Sequence, residues 1–151
     1  MTFQFRLATL LKLREQVRDE RRRDLAQAFE AERILRERQS AIEIEIVNNR
    51  DLARRLAQAT ELRVDELANT RRYEAVLKMQ VATVQQQLVQ VLEEVERRRT
   101  ALLEADRDVK ALDKLHERQA QQYNLKQEKR EDQQLDEAAL RGFVRKREAA
   151  L

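Results

Sequence analysis

The sequence contains no cysteine, no proline and no tryptophan, only one glycine, and its aromatic residues amount to 4% of the chain. Without cysteine, disulfides, thiol nucleophiles and thiolate metal ligands are excluded. A compact β or α/β domain reverses its chain many times and needs turn residues such as glycine and proline to do so. Their scarcity argues against such a domain, and the abundance of Ala, Leu, Glu, Gln, Lys and Arg is typical of long helices.

Long hydrophobic runs are also missing, and charge of one sign does not dominate. No apolar stretch approaches the roughly 20 residues that span a bilayer, and the first residues lack the apolar core of a signal peptide. The 31 basic residues are nearly balanced by 28 acidic ones, interspersed as on a solvated helix surface. We therefore expect a cytoplasmic protein that meets a membrane only through partners.

The strongest candidates for a nucleic-acid site are two arginine triplets, Arg21–Arg23 and Arg97–Arg99. A nucleic-acid stripe would concentrate its basic residues on one face. Each triplet instead spreads over nearly a full helical turn and is flanked by Asp or Glu. Solubility, or docking against an acidic protein surface, explains the triplets better, so no nucleic-acid partner is expected.

The second half of the chain carries a regular apolar stripe. Steps of four and three residues, taken alternately from Leu77 to Tyr123, meet an apolar or aromatic residue at eleven of fourteen positions. Such a narrow, long stripe is typical of a coiled-coil seam, because a helix wound to about 3.5 residues per turn keeps it facing one partner. The same spacing runs from Leu7 to Leu56 with more polar interruptions. Between Leu56 and Leu77 the stripe weakens, and there we expect a turn.

The heptad phase alone is compatible with one long helix in a parallel dimer and with a helical hairpin. In a parallel dimer, seam residues such as Arg14, Glu32 and Arg98 would each face their own copy, which is unfavourable. One register of an antiparallel hairpin instead matches apolar layers with apolar layers and polar with polar. Its pairs are Leu25 with Leu112, Leu35 with Leu102, Ile42 with Val95, Ile46 with Val91, Ala53 with Val84, Leu56 with Val81, Gln39 with Arg98, Arg18 with Gln119 and Arg21 with His116.

The predicted fold is all-α: one antiparallel coiled-coil hairpin of two long helices, without a globular core, as a single domain over residues 1–151. That register places helix 1 at about residues 3–67, the turn at about 68–70 and helix 2 at about 71–147. Asn69 suits the turn because asparagine tolerates the left-handed conformation. Helix 2 is then expected to extend beyond its partner after about residue 136.

The two ends of the chain, which meet at the open end of such a hairpin, carry more apolar residues than the hairpin can cover. Exposed contiguous apolar surface usually marks an interface, so we expect this end to dock into another protein. The residues concerned are Phe3, Phe5, Leu7, Leu10, Leu11 and Leu13 at the start of the chain and Leu140, Phe143 and Val144 near its end.

Off-seam apolar residues also cluster in the half of the hairpin near the turn. Some of them flank the seam, as coiled-coil e and g positions do, and others could form a second binding face. Both interpretations remain open for this group. Its members are Ile44, Val47, Leu52, Leu62, Val64, Tyr73, Val76, Met79, Val89 and Leu92.

Catalytic chemistry is not indicated. Catalysis needs a set of residues held in a concave pocket, and two thin helices offer none. His116 is the one histidine, and without a second histidine or a cysteine it is better explained as a polar seam layer than as a metal ligand. Acidic pairs such as Glu93 with Glu94 are explained as solvated surface. We expect no catalytic residues, no cofactor and no metal.

An N-terminal motif and a two-part motif in the second half of the chain, in this order and spacing, resemble the FliJ family, soluble components of the flagellar type III export apparatus. The resemblance covers essentially the whole chain. The motifs are Phe3-x-Phe5-Arg6-Leu7-Ala8-x-Leu10-Leu11-x-Leu13-Arg14, then Arg99-x-x-Leu102-x-x-Ala105-x-x-x-Val109-Lys110-Ala111-Leu112-Asp113-Lys114-Leu115 and Gln134-x-Asp136-Glu137-Ala138.

The resemblance implies an antiparallel two-helix stalk, similar to the stalk subunit of rotary ATPases, at the inner face of the cell membrane. The partners it implies are the hexameric export ATPase ring, the export-gate membrane protein and export chaperones. By position, the resemblance places at the ring Phe5, Leu7, Leu10, Leu13, Leu135, Asp136 and Glu137. The apolar residues Phe3, Leu140 and Phe143 of the same open end are expected there too. The resemblance places the gate contact in the turn-proximal half without assigning residues to it. The off-seam apolar residues expected to bind a partner in that half are Ile44, Val47, Tyr73, Val76 and Met79. The injectisome equivalent of this stalk and a generic coiled-coil tether stay open as alternatives.

Overall fold

The computed structural model describes residues 2–150 as two long α-helices joined by a short loop. Helix α1 spans Ala8–Gln58 and helix α2 spans Val64–Ala149. No strand and no positive φ occurs among the described residues. The helices pack against each other in opposite directions, so the predicted all-α hairpin is confirmed. The parallel dimer, which needs one uninterrupted helix, is wrong.

The contacts of the chain group into two compact units. The turn-proximal unit consists of Asp19–Glu104, and the open-end unit contains the described residues 2–18 and 105–150. Each long helix contributes a segment to both units. The units differ in how many of their apolar residues are buried.

The turn-proximal unit holds the main hydrophobic core. Its buried members all lie at predicted seam positions, and Leu77 and Val84 are each only 1% exposed. Fully burying a Leu or Val side chain contributes about 1.5–3 kcal/mol, so this narrow stripe is the main source of stability along the hairpin. The core cluster consists of Ile42, Ile46, Leu77, Val84 and Leu88, with Leu35 and Val81 packed against it.

The register of the hairpin differs from the predicted one. Ile42 and Ile46 cluster with Leu77, Val84 and Leu88, whereas their predicted partners were Val95 and Val91. Contacts between the helices agree with this shift in each unit, since Arg50 pairs with Glu74, Arg98 binds Asp24 and Arg14 pairs with Asp108. The observed pairing lies about two heptads nearer the start of α2 than the predicted one.

Arg98 shows why matching polar layers with polar layers gave the wrong register. Its half-buried guanidinium donates to the backbone carbonyl of Asp24 at 2.5 Å and to the Glu94 carboxylate at 2.7 Å. A long arginine can keep its aliphatic stem in an apolar layer while its charged end reaches polar groups at the rim. An arginine in the seam therefore needs no polar residue opposite it.

The reversal lies at residues 59–63, inside the predicted gap but earlier than the predicted turn at 68–70. Arg55 in the last turn of α1 and the acidic pair Asp65 and Glu66 in the first turn of α2 suit the helix dipoles at these ends. The carbonyl of Arg63 accepts the first helical hydrogen bond of α2, from Leu67 N at 3.1 Å. Asn69 lies within α2, and no left-handed residue is used among the described ones.

Both ends of the open-end unit also differ from the prediction. Residues 2–7 precede α1 and are not helical, although helix 1 was expected from about residue 3. Because α1 meets an earlier part of α2 than predicted, α2 extends beyond its partner sooner. Every residue from 128 to 150 is exposed, whereas the overhang was expected only after about residue 136. We call residues 128–150 the tail.

Candidate functional site

The open-end unit begins with a short extended segment that packs its aromatic side chains on α2. Exposure alternates along residues 2–5, so that Phe3 and Phe5 are half-buried while their neighbours face solvent. The Phe3 ring lies 5.6 Å from the ring of His116 and 5.7 Å from that of Tyr123, and the Phe5 ring meets His116 edge-on at 4.9 Å. Extended backbone explains the pattern, because alternate side chains then point to one side.

The predicted partner of His116 was Arg21, and this pairing is wrong. Arg21 forms an ion pair with Asp24 of its own helix at 3.6 Å. The imidazole of His116 instead packs against the rings of Phe3 and Phe5. Sequence reasoning missed this contact because it treated the first residues as the start of a helix, although the Phe-x-Phe spacing of two could have indicated an extended segment.

An open groove of about 440 Å³ lies beside this aromatic contact. Its walls combine an aromatic base with amide and cationic side chains, which suits a protein segment that offers both apolar and acidic groups. The residues lining it are Phe3, Gln4, Arg6, Gln119, Gln122, Tyr123 and Lys126.

Leu7, Leu10 and Leu13 follow at intervals of three residues, at and just after the start of α1. They are 36%, 38% and 54% exposed. Residues three apart lie close together on a helix surface, so Leu10 and Leu13 form a small apolar patch that the chain itself does not cover.

The tail exposes the remaining residues predicted at this end. Leu135, Leu140 and Phe143 are each about two-thirds exposed. Leu140 and Phe143 line a shallow concavity of about 470 Å³ together with Asp136 and Ala139, and Leu135 lies outside it. All ten residues predicted for the ATPase ring, Asp136 and Glu137 included, belong to the open-end unit.

The five residues predicted for the turn-proximal half belong to the other unit and are all exposed. They do not gather in one groove. Tyr73 donates its hydroxyl hydrogen to the Glu45 carboxylate and lines a groove of about 310 Å³, whereas Val47 lines a different groove with Ile46 and Val81. Ile44, Val76 and Met79 line neither of these two, and Met79 is the most exposed of the five at 73%.

A buried polar layer in the turn-proximal unit was not recognised from the sequence. Asn49 Nδ2 donates to the carbonyl of Thr70 at 2.8 Å, and the Thr70 hydroxyl donates to the carbonyl of Leu67 at 2.7 Å. Both residues are at least 92% buried. A buried asparagine in a seam fixes the register at some cost in stability, and Asn49 at a seam position was the available signal.

Ion pairs determine the electrostatics of the surface. Lys78 and Arg50 hold the pKa of Glu74 below its ordinary value, and Arg98 does the same for the pKa of Glu94. The hydrogen bond to Glu45 raises the pKa of Tyr73. Each shift has a neighbouring charge as partner, so these groups form structural pairs along the helices.

Neither helix, within residues 2–150, contains a stretch long and apolar enough to cross a membrane. In the same part of the chain, no group of three or more His, Asp or Glu side chains is arranged as a metal site would require. What the geometry offers is surface: an aromatic groove and exposed leucines at one end, and scattered apolar residues near the turn.

Comparison with known families adds the decisive observation, because the family described as flagellar FliJ protein matches residues 3–148. The chain belongs to the FliJ family. The match covers both motifs and the whole hairpin, so the resemblance seen in the sequence is confirmed. Comparisons with curated proteins and with solved structures found no match. FliJ membership connects the chain with flagellum biogenesis and protein export.

Proposed function

We propose that this FliJ-family chain is a non-enzymatic stalk of the flagellar type III export apparatus, and that its open end docks into the hexameric export ATPase ring. The main support is the use of apolar residues in the open-end unit. Leu10, Leu13, Leu135, Leu140 and Phe143 are between 38% and 68% exposed, and exposed apolar clusters of this kind usually meet a partner.

A non-enzymatic role fits the chemistry of the chain. Acid–base catalysis places titratable groups where they can reach a substrate. Here the perturbed carboxylates Glu74 and Glu94 are neutralised by neighbouring Lys and Arg side chains, and His116 lies under two phenylalanine rings. These groups stabilise the hairpin and its N-terminal segment.

A stalk without catalytic groups can still change the activity of a ring ATPase. Such a protein shifts an equilibrium between ring states only to the extent that it binds those states with different affinity. The open-end unit suits this task because its exposed side chains differ from one side to another: a groove beside Tyr123, leucines on α1, and the tail. Unequal contacts with the subunits of a ring follow from that asymmetry.

The turn-proximal half is the proposed contact with the export-gate membrane protein, which would hold the chain at the inner face of the cell membrane. Support comes from the exposure of Ile44, Val47, Tyr73, Val76 and Met79. Tyr73 and Val47 line different grooves, so a partner that fits a single groove would use only part of the set. At this location, on the cytoplasmic side of the membrane, the chain would also escort export chaperones.

The test is ATP hydrolysis by the purified export ATPase with and without this protein. We expect the wild-type chain to change turnover or ring assembly, and the double variant Leu7→Asp with Leu10→Asp to lose most of that effect. The matched control is Ile44→Asp with Met79→Asp, which makes the same chemical change in the turn-proximal unit. This control should retain the wild-type effect on turnover or ring assembly. Circular dichroism checks that both variants stay helical.

If the wild-type protein changes neither turnover nor assembly, the proposed docking is wrong. If both double variants act like wild type, the contact lies elsewhere on the chain. Removal of residues 128–151 separates a stalk from a plain tether between two partners. A tether would tolerate this truncation, whereas a stalk that docks through its tail would lose its effect on ATP hydrolysis or ring assembly.

A further inference from the structure

Four side chains of the tail form a stripe that no other part of the described chain covers. Asp136, Leu140, Phe143 and Arg147 follow one another at spacings of four, three and four, which places them in one stripe along the helix. Leu140 is 64% and Phe143 is 66% exposed. Among the described residues, Asp136 and Arg147 form no ion pair, whereas the adjacent Glu137 pairs with Arg141 at 3.6 Å.

A single helix of this length that is surrounded by water has little stability of its own. Helices gain most of their stability in water from packing an apolar face, and short isolated helices are marginal. Residues 128–150 receive no such packing, because every one of them is exposed. A partner that covers the stripe would therefore stabilise the tail as well as remove Leu140 and Phe143 from water.

We propose that this partner is a second copy of the same chain, with the two tails paired antiparallel through the stripe. Reversing the direction of the stripe places Arg147 opposite Asp136, and Phe143 opposite Leu140. A two-fold axis repeats each contact, so the interface contains two Leu140–Phe143 layers flanked by two Asp136–Arg147 pairs. The stripe is self-complementary in both apolar surface and charge.

Other occupants fit the stripe less well. Parallel tails would set Asp136 against Asp136 and Arg147 against Arg147, which is repulsive. An anionic lipid surface would attract Arg147 but repel Asp136, which lies on the same side of the helix as Leu140 and Phe143 and lines their concavity. The antiparallel pair is the arrangement that satisfies both charges.

This pairing depends on the chain alone and not on the proposed docking to the ATPase ring. The two are linked only because Leu140 and Phe143 are among the residues proposed to face the ring. Paired tails would keep these side chains covered, so tail pairing and ring docking would compete for the same surface.

Sedimentation equilibrium of the full-length protein at low ionic strength tests the proposal. We expect a concentration-dependent dimer for wild type, and roughly tenfold weaker pairing for Asp136→Arg or Arg147→Asp, because each single reversal sets like charges together at two places. The double variant with both reversals restores the complementarity and should dimerise like wild type. Mixing the two single variants should give heterodimers, since each then offers the charge the other needs.

Matched controls lie on the far side of the same helix. Glu131→Arg and Arg145→Asp make the same two charge changes about half a helical circumference away from the stripe, and both should dimerise like wild type. Wild-type protein that stays monomeric at every concentration would overturn the proposal. Equal loss in stripe and control variants, or no restoration in the double variant and the mixture, would overturn it too. Wild type that stays monomeric but sediments with anionic vesicles would assign the stripe to lipid instead.

Discussion

The two units of this chain use the same heptad spacing in different ways. In the turn-proximal unit the apolar stripe faces the core. Seven hydrophobic residues of this unit are buried: Ala28, Ile42, Ile46, Leu77, Val84, Leu88 and Val95. In the open-end unit only Ala105 and Val109 reach that degree of burial. Larger apolar side chains of that unit, such as Leu135 and Phe143, are left in water.

The comparison indicates that the residues that stabilise the hairpin are separated along the chain from those proposed to dock into the ATPase ring. A mutation in the core of the turn-proximal unit removes buried contacts, whereas one in the tail removes surface that only a partner would cover. Variants of the open-end unit should therefore impair binding while leaving the hairpin folded. Equivalent substitutions in the two units should therefore differ in their effect on stability.

Leu77→Ala should give the largest loss of stability. Leu77 is 1% exposed inside the core cluster, and truncating a buried leucine costs about 2–5 kcal/mol. Leu140→Ala makes the same change at a position that is 64% exposed, and should alter the free energy of unfolding by less than about 0.5 kcal/mol. Urea unfolding followed by circular dichroism measures both. Equal losses would show that the two units do not differ as described.

Asn49→Ala should have the next largest effect, about 1 kcal/mol, because it removes a buried hydrogen bond to the Thr70 carbonyl. Asn48 is its exposed neighbour and provides the matched control. Asn48→Ala should be nearly neutral in the same urea titration. If the two alanine variants are indistinguishable, the polar layer contributes nothing to the stability of the turn-proximal unit.

Phe3→Ala should destabilise the protein only slightly, by about 0.5–1 kcal/mol for the lost aromatic contacts, but it should change the surroundings of His116. His116 is the one histidine in the chain, so its imidazole resonances are easily assigned by NMR. We expect them to move toward the positions of a solvated imidazole. Phe29→Ala, in the turn-proximal unit, should leave them in place. Unchanged resonances in Phe3→Ala would mean that the N-terminal segment does not rest on α2.

The smallest effect concerns pH. Lys78 and Arg50 lower the pKa of Glu74 from its ordinary value of 4.5, so the stabilisation from this carboxylate is present above that value and is lost as the pH falls through the lowered pKa. Between about pH 6 and about pH 3, wild type should lose slightly more stability than Glu74→Gln. Parallel losses in the two proteins, measured as urea midpoints, would argue against a contribution from Glu74.

Much of the fold followed from the sequence because the signals are periodic. The seam from Leu77 to Tyr123, the weak stretch before it and the hairpin are all present in the structure. Matching like layers did not predict the register, because Arg98 binds the Asp24 carbonyl and the Glu94 carboxylate, and not its predicted partner Gln39. The acidic pair after Arg63 was the better turn signal, since it marks the start of α2.

The exposure of the tail residues was predictable from the sequence, whereas the packing at the start of the chain was not. Leu140 and Phe143 are exposed as expected, since nothing in the tail could cover them. The packing of Phe3 and Phe5 on His116 and Tyr123 was missed. That contact depends on the register, which places His116 beside the first residues of the chain, and on an extended segment where a helix was expected.

Hydrogen–deuterium exchange of the full-length protein, alone and bound to the assembled export ATPase, tests whether the open end docks into the ATPase ring. If the open end docks into the ring, binding slows exchange in the tail and in the segment from residue 2 to residue 13, and leaves exchange in the buried core around Leu77 unchanged. Slower exchange confined to the turn-proximal unit, with an unprotected tail, would contradict this docking.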